Sequence, residues 1–453
     1  MDRTQYLHCF GHDGDRRSDR LSTGAEKIGA DEGAAGSNSR AEARRSGMST
    51  ATGARIGRQF SWILIGRLVG ALVQAGSMAL LARWIGPAEF GLFASVYGFA
   101  IITQTVMDFG LATSIVRLRA QSPDDGSIGS ILRLVGRINF GVVIIGFLGA
   151  VALSIWDHRF VPLIPLAVWI GADRQVETWL GIPLADGATW QNASSLIFRR
   201  TAALLFLIGA FAMGTDPFFG YAFGLAVSSL FAAVFVVRRN LNSVRTDRRT
   251  SDWSLLRQAR PFWINSIGTQ ARNLDTLIVA LLLSPGAAGL YGAASRLTTP
   301  LRILPTSFSS VLMPAAARTP INARRSLIRT TLCMLAFSST LYLGIGIALP
   351  FVVPLLLSSA YDEAIPVIQI VCFGLIFAAV ASQLSALMQG WGYLTTVAAI
   401  STMSTLSCLV GIVILAPLQG VIGAGLALSF SYVFQVLIQL ICLCVLSRRA
   451  SNA

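Results

Sequence analysis

The chain has 453 residues, 54% of them hydrophobic and 13% charged, with a mean hydropathy of +0.63 and a net charge of +14. Soluble domains carry about 25% charged residues, so this chain cannot cover a globular surface with polar groups. Most of its basic residues lie between apolar runs long enough to cross a hydrocarbon core of roughly 30 Å. That sets nucleic-acid binding aside, and a transmembrane β-barrel is excluded because runs such as Val142–Leu153 lack dyad alternation.

Residues 1–58 are rich in Arg, Asp, Gly and Ser and lack an apolar run long enough for a signal-peptide core. A disordered basic cytoplasmic tail is expected there, with His8, Cys9 and His12 in it by composition rather than as a metal site. Met48 opens a shorter leader into the first span, which makes 1–47 a candidate upstream over-read. The other cysteines, Cys333, Cys372, Cys408, Cys442 and Cys444, lie in apolar runs with no CxxC pair and read as small hydrophobes. Neither a metal nor a cofactor is expected.

Twelve apolar runs follow: 60–82, 90–115, 131–155, 160–182, 196–213, 217–237, 261–283, 287–312, 327–349, 363–388, 395–416 and 420–446. They predict an all-α polytopic membrane protein with an N-terminal six-helix bundle (59–237), a basic cytoplasmic linker (238–260), a C-terminal six-helix bundle (261–446) and a short tail (447–453). The fourth run carries Asp173, Arg174 and Glu177, and the fifth is short. Basic residues cluster after spans two, four (Arg199, Arg200), six and eight and in the C-terminal tail, whereas the opposite side offers Arg83 and Arg159. By the positive-inside rule both termini are cytoplasmic.

The segment LLARWIGPAEFGLF (Leu80–Phe93) nearly recurs as VALLLSPGAAGLY (Val279–Tyr291), with Pro87 returning 198 positions later at Pro285. At the same offset Arg67, Gly70, Gln74 and Ser77 of span one map onto Asn265, Gly268, Arg272 and Asp275 of span seven. Spacings of 3, 4 and 3 keep each set on one helical face. A third match, Gly224–Ser228 with Gly425–Ser429, closes each half. Six spans is an even number, so the halves enter the membrane in the same sense and are related by a pseudo-two-fold along its normal. Two such bundles enclose a central cavity that opens to either side as they rock.

Ionisable groups deep in a span face protein or water rather than lipid. The candidates are Arg67, Asp108, Arg174, Arg272, Asp275, Arg296 and Arg302. In span eight Ser295, Thr299, Arg302, Thr306 and Ser309 share a face, and in span two Gln104 and Asp108 share one. Each has a bland alternative: Arg272 and Asp275 could neutralise each other, Arg67 could snorkel to headgroups, and Asp108 could sit at the interface. As a set the arginines outnumber the acids, and a guanidinium grips phosphate with a planar pair of donors. Arg67, Gln74, Arg272, Arg296 and Arg302 are therefore expected to bind a phosphate-bearing cargo, with Asp275 and Asp108 available for H+ or Na+ coupling.

LLARWIGPAEFGLF, MDFGLATSIVR (Met107–Arg117), NLDTLIVALLLSPGAAGLYGAASRL (Asn273–Leu297) and GVIGAGLALSFSY (Gly420–Tyr432) resemble the Wzx-like polysaccharide flippases of the MOP transporter superfamily. The resemblance runs from about Ile56 to the last span. It departs in the polar fourth span and the long tail. It implies translocation of an undecaprenyl-diphosphate-linked oligosaccharide across the inner (cytoplasmic) membrane for surface polysaccharide synthesis: O-antigen lipopolysaccharide, capsule or exopolysaccharide. It also implies ion coupling and a polysaccharide polymerase as a partner, and no enzymatic activity of its own. Two other classes remain: a MATE-like drug/cation antiporter, against which the Arg excess argues, and a membrane enzyme on lipid-linked sugars, such as a polymerase or glycosyltransferase. Such an enzyme usually needs a sizeable extramembrane loop or a catalytic acid cluster, and the longest internal connection is the basic Arg238–Arg260 segment. Asp124-Asp125 is the nearest approach to such a cluster and reads as a solvated loop, and there is no P-loop.

Overall fold

A computed structural model describes residues 31–122, 125–244, 250–318 and 324–451. The start of the tail with His8, Cys9 and His12, together with Asp124 and the linker arginines Arg245, Arg248 and Arg249, lies outside the described residues. The chain divides into the units Met1–Arg58 and Gln59–Ala453, and the second holds the transmembrane body.

Every described element is a helix or a turn. The first half comprises α1 (Asp31–Met107), α2 (Leu111–Gln121), α3 (Ser127–Trp156), α4 (Leu163–Ala185), α5 (Trp190–Ala212) and α6 (Pro217–Asn240). The second comprises α7 (Asp252–Gln270), α8 (Asp275–Leu282), α9 (Pro285–Leu297), α10 (Ile303–Arg318), α11 (Arg324–Leu356), α12 (Ile365–Gly390) and α13 (Leu394–Ser451). Each of the twelve expected spans falls on helix. Among the described residues seven helices are long and apolar enough to cross a membrane, and two of them, Leu64–Met107 and Leu394–Val445, each cover most of two expected spans. The protein is a multi-pass helical membrane protein.

Several boundaries differ from the sequence expectation. The helix α1 is assigned from Asp31, within the stretch expected to be a tail, and α7 begins at Asp252, inside the stretch assigned to the linker. Helix α5 begins at Trp190, six residues before the expected run, so Arg199 and Arg200, counted toward topology with the connection after span four, lie well inside it. The charges that made span four look weak are satisfied inside the bundle, which is why α4 forms over 23 residues.

The repeated turn is built two ways. Gly86 breaks α1 with φ 77° and ψ 173°, a left-handed region that favours glycine, and Pro87 starts the next helix. At the equivalent position Ser284 has an extended backbone, and its side chain accepts from the Ala287 N–H at 3.1 Å before Pro285 opens α9. The same device as at Gly86 separates the last two spans, at Gly420 (φ 63°).

Beyond the turns the two halves meet on equivalent residues. A Cβ added at Gly91 would strike the Pro285 carbonyl oxygen, and one at Gly289 the Pro87 carbonyl oxygen. One turn along, a Cβ at Gly292 would lie 3.1 Å from the Ala94 methyl, and further on one at Gly98 would lie 2.8 Å from the Arg296 guanidinium. Each of these pairings joins a residue to the one 198 positions away, or exchanges two such residues. That reciprocity is what a two-fold axis imposes on an interface. Lipid offers little hydrophobic drive for helix association, so the small residues that let backbones approach are what hold this seam. Tyr361 Oη donates to the Ala82 carbonyl (3.2 Å) and Arg83 Nη1 to the Leu355 carbonyl (2.7 Å), extending the closure at the same end. Toward the opposite end Leu255 and Ala259 of α7 are buried in a cluster with α2, α3, α4 and α6, which anchors the start of the second half on the first.

Candidate functional site

The seventh and eighth spans are both interrupted. Between α7 and α8 the residues Ala271–Leu274 form a 3₁₀ turn, and Thr299–Arg302 form another between α9 and α10. Pro300 accounts for the second, since it lacks an N–H and its ring crowds the preceding turn. The first contains neither Pro nor Gly. Irregular backbone at membrane depth persists only where protein buries it or it lines a cavity. Both turns line one, a space of about 660 Å³ between the halves.

Its second-half wall presents Arg272, Asn273, Asp275, Arg296, Arg302 and Tyr432. Arg272 Nη2 donates to Ser404 Oγ (3.1 Å) and Ser431 Oγ (3.3 Å), and its guanidinium lies 4.6 Å from the Tyr432 ring centroid. Arg302 lies over the same ring at 5.6 Å, so two cations flank one aromatic. Arg296 Nη1 donates to Asn273 Oδ1 (2.9 Å), with its guanidinium 5.9 Å from the Tyr97 ring. The Nε atoms of Arg272 and Arg296 are buried without a hydrogen-bond partner.

The first-half wall presents Gln74, Tyr97, Gln104, Asp173, Glu177 and Arg200. Tyr97 stacks on Trp169 at 5.0 Å, and its hydroxyl accepts from Gln74 Nε2 (2.8 Å) and Arg200 Nη1 (3.3 Å). The two acids are neutralised from behind: Arg199, almost fully buried, pairs with both Asp173 and Glu177. Asp275 is held by neutral donors, the Tyr291 hydroxyl (3.0 Å), the Thr276 hydroxyl (3.0 Å) and the Thr276 N–H (2.6 Å). Among the described residues none of the four cavity arginines, Arg200, Arg272, Arg296 and Arg302, has a carboxylate within 4.0 Å. The acids of the first half are taken by other arginines.

A second chamber of about 380 Å³ continues from Arg272, Arg302 and Tyr432 between α10, α12 and α13. Thr306, Ser309, Ser382, Ser385, Ser401 and Gln435 line it with neutral hydroxyl and amide groups.

Of the residues expected from sequence, Gln74, Arg272, Arg296, Arg302 and Asp275 line this cavity together. Arg67 is exposed and does not line it. Asp108 is buried in an ion pair with Arg174, whose Nε lies 3.1 Å from Oδ1, away from the cavity wall. The suggested Arg272–Asp275 pair does not form, because the 3₁₀ turn replaces the helical geometry that would bring them together. The expected face of span eight survives its break: Ser295, Thr299 and Arg302 line the first chamber, and Arg302, Thr306 and Ser309 the second. Sequence reasoning missed Tyr97, Tyr432 and Arg200. The aromatics sit in apolar runs without a polar signal, and Arg200, at the start of the fifth run, was counted only toward topology. No group of three His, Cys, Asp or Glu among the described residues is placed to hold a metal.

A family model described as "Polysaccharide biosynthesis protein" matches residues 56–320. No curated protein matches the chain. Among solved structures, a lipid II flippase MurJ in an inward closed conformation aligns with TM-score 0.69 at 15% identity, over 84% of this chain and 87% of its own. An inward-facing multidrug resistance MATE family transporter of the MOP superfamily aligns at 0.64 and 13%, over 85% and 96%. A MOP superfamily transporter from Pyrococcus furiosus, with a binding pocket of reverse polarity, aligns at 0.54 and 14%, over 85% and 94%. At these identities the likeness is one of fold.

Proposed function

The chain belongs to the polysaccharide biosynthesis protein family, and on that premise we propose that it is a flippase that moves a saccharide linked to lipid through phosphate across the membrane. The finer form of this reading is an undecaprenyl-diphosphate-linked oligosaccharide, carried from the cytoplasmic to the outer leaflet of the inner membrane for O-antigen, capsule or exopolysaccharide assembly. Both termini are then cytoplasmic. The observation that carries it is the charge balance of the cavity: four guanidinium groups without a carboxylate partner, while Asp173 and Glu177 are neutralised by Arg199 and Asp275 alone among the lining acids is not ion-paired. A diphosphate between Arg272, Arg296 and Arg302 would replace water with charge-assisted hydrogen bonds, each worth about 1.5–3 kcal/mol. The second chamber, rich in hydroxyl and amide groups beyond Arg272 and Arg302, suits sugar hydroxyls. The lipid tail stays in the bilayer, and rocking of the halves about the seam exposes the site to the other side. Asp275, held only by neutral donors, is the cavity acid best placed to take H+ or Na+ for coupling.

The test is accumulation of lipid-linked oligosaccharide on the cytoplasmic leaflet in cells whose only copy is Arg272→Gln or Arg296→Gln. Accumulation is expected, with roughly tenfold to hundredfold weaker transport per arginine, while the variant protein remains in the membrane. Normal export by both variants would overturn the site. The antiporter reading draws on the MATE-like fold and the cavity acids. Its signature would be drug sensitivity on deletion without such accumulation.

A further inference from the structure

Apart from the central cavity, the end of the first half that carries the arginine-rich connections holds an open pocket of about 820 Å³ on the outer face of α3. Its walls are Ser130, Arg133, Gly136, Arg137 and Phe140 of α3 and the segment Thr250–Asp252 that starts α7. Helix α3 has 30 residues, about 45 Å of rise, and so exceeds a roughly 30 Å hydrocarbon core by about ten residues. Trp156, 90% exposed at its far end, suits an interfacial anchor. Counting back from it places Arg133 in the headgroup layer and Arg137 at the top of the hydrocarbon.

Below these arginines the same helical face continues as Phe140, Ile144 and Leu148, all exposed. The series 133, 137, 140, 144, 148 follows the helical repeat. Two cations above an uninterrupted apolar stripe match an anionic headgroup with an acyl chain below it. Beside the cations the pocket wall is Gly136, where an added Cβ would meet nothing nearer than Gln175 Nε2 at 4.0 Å. Arg137 is held by Asp252, Nη2 to Oδ2 at 2.8 Å, with both side chains largely exposed. A lipid phosphate can therefore displace the carboxylate at little cost. The N-terminus of the 19-residue α7 also opens here, adding a partial positive charge.

We infer that Arg133 and Arg137, with the pocket they share with the start of α7, form a binding site for an anionic phospholipid, separate from the transport cavity. Its occupancy exchanges the Arg137–Asp252 contact for an Arg137–phosphate contact. The site thereby couples the lipid to the segment that joins the two halves.

Native mass spectrometry of the full chain in detergent, titrated with phosphatidylglycerol, phosphatidylcholine or inorganic phosphate, tests this. Phosphatidylglycerol should bind in preference to phosphatidylcholine. Arg133→Gln and Arg137→Gln should each weaken it roughly fivefold. Asp252→Asn, which removes the competitor, should strengthen it, and Gly136→Leu, which fills the pocket and leaves every charge in place, should weaken it. Loss of equal size in Arg238→Gln or Arg239→Gln, arginines at the same end on α6, would reduce the effect to bulk charge and overturn the site. So would displacement of phosphatidylglycerol by millimolar inorganic phosphate, or unchanged binding in both Gly136→Leu and Asp252→Asn.

Discussion

Arg199 shows how one side chain decides what its neighbours can do. It is 4% exposed and holds two carboxylates on α4, so that Asp173 and Glu177 can face the cavity without cancelling its arginines. Removing one partner of a buried pair leaves charge uncompensated, at a cost of about 3–5 kcal/mol, whereas removing every charge together is often neutral. Because Glu177 is half-exposed, the lower end of that range applies. Arg199→Leu should therefore lower the thermal unfolding midpoint in detergent, and Arg199→Leu with Asp173→Asn and Glu177→Gln should recover most of the loss. An unchanged midpoint for the single variant would mean that water already solvates the acids. Arg199 and Arg200 are adjacent in sequence and opposite in use. One is a buried counter-ion and the other a cavity wall, a distinction set by which face of α5 each occupies.

At the scale of elements the informative feature is the seam between α1 and α9. Gly91 and Gly289 are required because the carbonyls of Pro285 and Pro87 occupy the space of their side chains. Backbone cannot yield as a flexible side chain can, so Gly91→Ala should favour the state in which this end is open. A cysteine at Ala94, 1% exposed here, should then become reactive toward a membrane-impermeant maleimide. Gly76→Ala, where an added Cβ meets nothing within 4 Å, should leave the reactivity as in the parent. Equal labelling in all three backgrounds would show that the glycine contact does not control opening. The helical spans and the repeat were legible in the sequence, because apolar runs and the Gly-Pro and Ser-Pro turns are local signals. The breaks were legible only in part: Pro300 announces one, but nothing in Ala271–Leu274 does. That break turns Arg272 away from Asp275 and toward Ser404, Ser431 and Tyr432 of α13, partners more than 130 residues distant in sequence.

For the whole molecule, the duplicated sequence has become a duplicated geometry most plainly along the seam. There residue pairs 198 positions apart meet each other, while the cavity walls have diverged: one arginine beside acids neutralised by Arg199 on the first-half side, three arginines beside Asp275 on the other. That division fits a symmetric hinge carrying an asymmetric site, and the cargo-binding residues predicted from matched positions in spans one and seven were legible in just that measure. Gln74 and its equivalent Arg272 both reach the cavity, whereas Arg67 does not, because the first-half face twists onto α5, with Gly66 against Ala193 and Gly70 against Leu196. If opening the seam is required for transport, tying it shut must stop transport. In a chain freed of its native cysteines, Ala94→Cys with Gly292→Cys places Cβ atoms about as close as a disulfide needs, near 3.8 Å, after a shift of some tenths of an ångström from 3.1 Å. Oxidation should trap the closed state and abolish export, and a reductant should restore it, while either single cysteine remains active throughout. Full cross-linking with undiminished export would show that the halves need not part here. Alternation would then have to occur within one bundle rather than between the two.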